Sequence, residues 1–511
     1  MVSMRIDLAD HQVIQRDVAW PVRGAAAAGS RVTLSIAGRT FDATADAAGR
    51  FCITLEPMPA GGPYDVVVQA GDEEQTAKDV LIGDVWLAAG QSNMAMTLRM
   101  SDAGEAVAAA TDINKLRLHT APYVVGEQAD CDASPPQVWQ ACRHESAADF
   151  SAVGFYFGRA LSQAIDVPVG LIAAAIGATP GEAWTPMSVL EANPAFTPIL
   201  ERWRRSQQRD RDAIDAASDV TIVAAEYAVA FAAWDGKADA AERAGRPIPG
   251  AHPKHIPAGH PWTPAGLFDG MIKPLTAKPI RGVIWYQGEG APERAFQYRS
   301  LFRALIRHWR DAWRQPRLPF YFVQAPRFGR RWDQPAEHSW AELREAQAMA
   351  LNEPATGMAV TIDLGDEKDI HPGEKQPIGE RLANLALSKT YGRDVACEAP
   401  RLAGVTIDGS RVRLRFDHVG GGLKTIDGLP PRGFAVSAGG CDFGSGNRKF
   451  TWADATLHGD EVVLQSAAVP RPVAARYAWA QNPDANVVNE VGLPMAPWRT
   501  DDWPGVTVLN R

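Results

Sequence analysis

Gly83-Asp84-Val85-Trp86-Leu87-Ala88-Ala89-Gly90-Gln91-Ser92-Asn93-Met94 decides the reading of this chain. The run Val85–Ala89 is wholly apolar, with an acid in front and a glycine behind. So short and uniform a run reads as a strand buried on both faces, as in a parallel sheet. Ser92 then stands at a strand end about to enter a helix. Its hydroxyl can emerge at the top of the sheet, and its N–H lies among the unpaired donors of a helix N-terminus. A serine nucleophile needs that place, because attack on an ester creates an oxyanion. A helix-capping serine would use the same sequence. The spacing is not G-x-S-x-G, so the α/β-hydrolase elbow is not matched.

Working outward, four more apolar runs follow: Val167–Ala175, Gly282–Tyr286, Phe320–Gln324 and Met358–Asp363. Helical patterns lie between them. Leu301, Phe302, Leu305, Ile306, Trp309 and Trp313 form one face of a helix near 297–314. Ser339-Trp340-Ala341-Glu342 reads as a capping-box start, and Ile378, Leu382 and Leu385 stripe another helix. Strands alternating with helices predict an α/β fold with an open, doubly wound parallel sheet. Both ends of the chain read as β. Arg31–Ile36 and Arg411–Phe416 alternate strictly, with Gly and Asp turns nearby. The expected organisation is an N-terminal β-sandwich-like region over 1–82, a catalytic α/β domain over 83–395, and a C-terminal β-sandwich region over 396–511. Residues 187–265 read as an insertion. Its segment Glu201–Asp212 carries five Arg, the pattern of a solvated helix face.

Ligands of open α/β sheets bind beyond the carboxyl ends of the strands. The residues after each run are therefore the candidates. Gly177-Ala178-Thr179 follows the second run, where a glycine lets backbone approach a ligand and donate its N–H. Gln287-Gly288-Glu289 follows the third, offering a side-chain amide and a carboxylate. Asp366-Glu367-Lys368-Asp369-Ile370-His371-Pro372 follows the last. A His beyond a strand end with carboxylates upstream is a general-base arrangement: imidazole takes the serine proton and a carboxylate fixes its tautomer. Nucleophile, two donors and base at one sheet edge make a coherent site. The competing cluster His252, His255 and His260 is loosely spaced in a Pro-rich loop, and no Cys or Asp completes it as a metal site.

Composition bounds the rest. The 511 residues are 46% hydrophobic and 22% charged, which is ordinary globular usage. The net charge of −8 has no polybasic footprint, so nucleic-acid binding is not expected. Five scattered Cys without a CxxC disfavour a zinc ribbon, although a Cys131–Cys142 bridge is conceivable. The first twenty residues lack the apolar run of a secretory leader, and no stretch is long enough to span a bilayer. The chain as given reads as soluble and without membrane partners. It would be cytoplasmic as it stands, and periplasmic or secreted if a leader has been removed.

The motifs together carry a resemblance. Gly83–Leu87 with Gly90-Gln91-Ser92-Asn93-Met94, Trp285-Tyr286-Gln287-Gly288-Glu289, and Asp369-Ile370-His371-Pro372 with Lys375 resemble the sialate O-acetylesterase-type family of SGNH hydrolases, a bacterial chain being expected. The likeness extends to Trp139-Gln140, Phe150–Gly154, Gly492-Leu493-Pro494 and Arg499-Thr500-Asp501. The resemblance implies a flavodoxin-like SGNH sheet and removal of O-acetyl groups from sugars. It implies Ser92 as nucleophile and His371 as base, with an oxyanion hole from Ser92, Gly177 and Gln287. It implies no metal and no cofactor. The chain departs from the family at Lys368, where the acid often stands three residues before the His. Asp369, two before, is taken as the orienting acid, with Asp366 and Glu289 as reserves. Ala95, Ala178 and Gly290-Ala291 are further departures, and they bear on the sugar surroundings. Asn93, Trp184 and Trp262 are candidate substrate contacts, the two indoles as sugar platforms. The expected function is a serine-dependent carbohydrate O-acetylesterase, leaning to plant-wall xyloglucan or xylan fragments because the net charge is negative. A sialate O-acetylesterase and a catalytically inactive carbohydrate-binding protein are the alternatives.

Overall fold

The computed structural model describes residues 4–126, 137–215, 220–250, 253–439 and 450–510. Its spine is the deciding stretch. Strand β1 runs unbroken over Glu73–Gly90. Over Glu73–Asp79 only Ala77 is buried, and from Val80 onward every residue is buried. The first half belongs to the N-terminal β unit, where it pairs antiparallel with Gly61–Ala70. The second half is the centre of the large sheet, buried on both faces as a parallel strand must be. The expected boundary after residue 82 therefore falls inside one strand, and the two units share it.

The remaining strands of the large sheet are β2 (Asp112–Thr120), β3 (Trp139–Arg143), β4 (Val169–Ala175), β5 (Gly282–Tyr286), β6 (Phe320–Val323) and β7 (Thr356–Ala359). Their spatial order is β3-β2-β4-β1-β5-β6-β7. All neighbours from β2 to β7 are parallel, and β3 closes one edge antiparallel. The order reverses at β1, with β4 on one side and β5 on the other. That reversal opens a crevice at the carboxyl ends, where such sheets bind ligands.

Helices α1 (Ser92–Ala95), α2 (Ala152–Ile165), α3 (Ala295–Trp313), α4 (Ser339–Met349) and α5 (Lys375–Lys389) connect the strands. Side chains of β1 alternate between two cores. Trp86 and Ala88 pack with α2 and α5. Val85, Leu87 and Ala89 share the other cluster with α3 and α4. Helices thus cover both faces. The apolar face expected near 297–314 is the buried face of α3.

Four sequence expectations change. The run expected as Met358–Asp363 is strand only over Thr356–Ala359, and Leu364 turns back to donate its N–H to the Thr361 carbonyl. The β2–β3 hairpin has no counterpart in the sequence reading. Ser339 does not cap α4: His338 is the N-cap and accepts the Trp340 N–H. Glu342, expected to complete the box, instead receives the Val506 and Thr507 N–H groups and the Thr507 hydroxyl from the returning chain end. A tertiary partner offering three donors outcompetes one local backbone donor. Arg204, Arg205, Arg209 and Arg211 are exposed as expected, but Arg202 is half-buried. Burial, with Arg294 nearby, pushes its pKa down to about 9.

The chain end folds as two four-stranded antiparallel sheets whose inner residues, such as Leu414, Phe434 and Tyr477, join the core beside α3 and α4. Among the described residues no helix is long and apolar enough to cross a membrane. Cys142 is a buried free thiol pushed up to about 12 by burial, while Cys131, its conceivable partner, lies outside the described residues.

Candidate active site

Gly90 ends β1 at φ +143°, and a Cβ there would lie 2.1 Å from the Tyr286 carbonyl. Only glycine lets β1 and β5 approach so closely at the top of the sheet. The chain then turns directly into α1. Gln91, not Ser92, occupies the N-cap position. The Gln91 Oε1 accepts the Gly288 and Gly290 N–H groups at 3.4 and 3.3 Å, tying the turn to the loop after β5. Ser92 is the first helical residue and half-buried. Among the described residues its hydroxyl has no hydrogen-bond partner, so it caps nothing.

Three further strand ends surround it. A Cβ on Gly177, beyond β4, would meet the Ser92 Cβ at 3.5 Å. Gly177 is exposed beside the serine. Ala178 follows with φ +56°, a left-handed conformation that costs an alanine roughly 1 kcal/mol or more. Gln287, beyond β5, is 1% exposed. Its Nε2 donates to the Thr179 carbonyl at 3.0 Å and its Oε1 accepts the Tyr298 hydroxyl at 2.7 Å. The amide is therefore locked in one orientation, with one N–H left over.

His371 is reached through the loop after β7. Its Nδ1 lies 3.4 Å from the Asp369 Oδ1, which also accepts the His371 backbone N–H at 2.8 Å. The His371 side chain is 39% exposed and that of Asp369 64%, so the pair is open to water. Asp366 serves the loop itself, accepting the Lys368 and Asp369 N–H groups, and these bonds lower its pKa. No hydrogen bond joins Ser92 to His371 among the described residues. Such bonds are commonly long before substrate binds.

Beneath this open layer lies a buried one. Asn93 is fully buried next to Ser92. Its Nδ2 donates to the Glu289 Oε1 at 2.7 Å and to the Ile370 carbonyl at 3.1 Å. Its Oδ1 accepts from the Lys375 ammonium. Asn93 thus joins the serine turn to the residue preceding His371. Burial raises the Glu289 pKa, opposed by the Asn93 hydrogen bond and by Lys375. Burial pushes the Lys375 pKa down to about 8 against the pull of Glu289 and Asp369. The second Glu289 oxygen is buried and has no partner among the described residues.

Three substrate-contact expectations are corrected. Trp184 is fully buried: its indole donates to the Thr179 hydroxyl and it packs edge-on against Trp285. Asn93 has no exposed surface for a sugar. Trp262 is 6% exposed and its Nε1 donates to the Ala178 carbonyl at 2.6 Å. The insertion thereby docks on the loop beside Ser92, and the Trp262 face is already occupied by the Lys254 ammonium 3.4 Å from the ring centroid. Burial lowers the Lys254 pKa, Glu293 opposing, and no carboxylate lies within ion-pair distance of it among the described residues. In the competing histidine cluster, His255 is paired to Asp210 at 2.7 Å and His252 lies outside the described residues. Sequence reasoning assigned no role to Gln91, Lys254 or Lys375. Lys375 was visible only as part of a motif, and the contacts of the other two span 84 to 199 residues of chain, counting the Trp262 bond through which Lys254 reaches the site.

Comparison with known proteins places this geometry. The family model for carbohydrate esterases, sialic acid-specific acetylesterase, matches residues 82–217 and 259–388. The gap between the two segments lies in the insertion. The sialate O-acetylesterase of Rattus norvegicus is 28% identical over 374 residues, covering 66% of this chain. That of Mus musculus is 26% identical over 468 residues, covering 84% of this chain and 79% of the mouse protein. The chain spans 63% of the rat protein's length. A solved carbohydrate acetylesterase from Xanthomonas citri is 32% identical, with a TM-score of 0.79 over 97% of this chain and 98% of that one. The chain belongs to the sialic acid-specific acetylesterase family of carbohydrate esterases, a family of carboxylic ester hydrolases.

Proposed function

We propose that this chain is a serine-dependent carbohydrate O-acetylesterase on a flavodoxin-like SGNH sheet. The observation that carries the reading is the juxtaposition of the Ser92 hydroxyl, partner-free among the described residues, with exposed Gly177 and the locked Gln287 amide at the β1, β4 and β5 ends. The Ser92 Oγ attacks the acetyl carbonyl while His371 takes its proton, Asp369 steadying the imidazolium. The oxyanion is held by the Ser92 and Gly177 N–H groups and the free Gln287 N–H. The tetrahedral adduct collapses with cleavage of the bond to the sugar oxygen, and His371 gives that oxygen the proton, so that it leaves as a hydroxyl. Water, activated by His371, then releases acetate from the acetyl-serine. The open His371–Asp369 pair leaves that water a path. Acetate release from O-acetyl sialic acid, acetylated xylan and acetylated xyloglucan fragments, each with a Ser92→Ala control, tests the reading.

The buried layer predicts a second effect. Asn93→Ala removes the bond that joins the serine turn to the His371 loop. The expected result is a fall of roughly 10- to 100-fold in kcat with KM little changed, because misplacing a base by about an ångström is that costly. Steady-state kinetics beside a thermal-unfolding curve separates this from global destabilisation.

For the sugar, Lys254 favours an O-acetylated sialic acid over a neutral plant-wall glycan. The net charge of −8 is a property of the whole surface, whereas Lys254 is a local cation one indole away from the Ala178 carbonyl. A sialic acid presents a carboxylate that such a cation can hold. Lys254→Gln should raise KM about tenfold for O-acetyl sialic acid, the worth of one charge-assisted hydrogen bond at a half-exposed site. KM for acetylated xylan fragments should not move. An equal change on both would point to the neutral xyloglucan or xylan reading.

A further inference from the structure

We propose that the seam between the edge of the large sheet and the C-terminal sheets is a binding site for an amphipathic aromatic carboxylate. The seam holds a cavity of about 330 Å³. An apolar cavity of about 150 Å³ accommodates one benzene ring, so this one has room for a fused two-ring system. Its wall is built from Met349, Met358, Leu402 and Trp498, none of which has a free polar atom to offer. The two methionines are flexible and polarizable, which suits a planar aromatic guest.

The charges around the wall define the guest further. Glu345 is held by Arg299 at 2.6 Å and by Arg499 at 2.7 Å. Glu398 is held by Lys389 at 3.1 Å and lies 3.5 Å from His418. Both lining carboxylates are thus already neutralised. Arg401 also lines the cavity, is exposed, and forms no ion pair among the described residues. It is the one lining charge left unspent among them, and its planar fork matches a carboxylate. A neutral apolar guest would leave it unused, and a sugar's hydroxyls would lie against the apolar Met349, Met358, Leu402 and Trp498 side chains. The site is separate from Ser92: it lies against β7 at the sheet edge, three strands from β1.

The test is calorimetric titration of the full chain with 2-naphthoate, and with 2-naphthalenemethanol as its uncharged counterpart. The expected result is one saturable site, with the alcohol bound about tenfold more weakly. Arg401→Ala should weaken naphthoate about tenfold and leave the alcohol unchanged. Ala399→Trp, which fills the half-buried cavity wall, should abolish both. Acetyl-ester hydrolysis should be unaltered in Arg401→Ala and serves as its folding control. Absence of saturable binding, equal affinity for the two probes, or binding that survives Ala399→Trp would each overturn the proposal. If Ala399→Trp does not fold, the Arg401→Ala comparison of the two probes decides alone.

Discussion

Ser92→Ala is expected to lower kcat for acetate release by about 10⁴- to 10⁶-fold, the range seen when a triad nucleophile is deleted. KM should change little, because the alanine leaves the rest of the pocket in place. Stability should also hold. The serine hydroxyl has no partner to lose among the described residues, Gln91 rather than Ser92 holds the N-cap position, and the half-buried site leaves no sealed cavity. Those facts separate the two readings of the residue. A capping serine would cost about 1 kcal/mol of stability and nothing in rate. A nucleophile costs rate and almost no stability. Acetate release and thermal unfolding on the same two proteins tell them apart, and a variant within tenfold of the parent rate would overturn the assignment.

Asp84→Ala should produce the opposite pattern, a large loss of stability with the chemistry intact. The Asp84 side chain has no exposed surface. Its carboxylate accepts from Arg16 at 2.9 Å, Arg281 at 2.8 Å, Gln15 at 3.0 Å and the Tyr391 hydroxyl at 2.9 Å. Removing it leaves the two guanidinium groups with only the exposed Asp17 carboxylate, 3.6 and 3.8 Å away, between them, and breaking a buried pair in this way costs about 3–5 kcal/mol. The loss should appear as an earlier urea transition and as faster proteolysis at the junction of the N-terminal β unit with the large sheet. Residual folded enzyme should keep its kcat, since Ser92 lies eight residues further along, roughly 25 Å away at strand spacing. Burial pushes the Asp84 pKa up, but the Arg16 bond, Arg281 and Gln15 outweigh it, and the folded value lies below the ordinary one. A depressed folded pKa means the contribution is complete above the unfolded carboxylate range and is lost as pH falls through the folded value. Asp84→Asn should therefore resemble the parent protein most closely at low pH.

Much of this fold is local information. The uniform burial of Val85–Ala89 and Gly282–Tyr286, and the apolar stripe of α3, follow from period and composition, because a residue's face is set by its neighbours along the chain. The placement of Ser92, Gly177, Gln287 and His371 after strand ends is equally local, and the sheet brings Ser92, Gly177 and Gln287 to one edge. What failed were readings in which a distant partner competes with a near one. Glu342 left its capping role for a chain end 164 residues away. Trp184, which composition offers as a sugar platform, is claimed by Thr179 and Trp285. The Trp262 bond to the left-handed Ala178 and the Lys254 cation on that indole likewise belong to the docking of the insertion.

The sequence by itself determined the strand and helix periods, the glycine at the crowded β1 end, and the order of nucleophile, donors and base along the chain. Each depends on a few consecutive residues. The tertiary structure alone decided that β1 serves two units at once and that Asn93 ties the serine turn to the His371 loop. It alone put the Lys254 cation on Trp262 beside the site in a chain of negative net charge. The Asn93 tie reaches across 277 residues and the Trp262 bond that seats Lys254 across 84. Such a choice of partner is made by desolvation and geometry after the strands have assembled, and no local pattern records it.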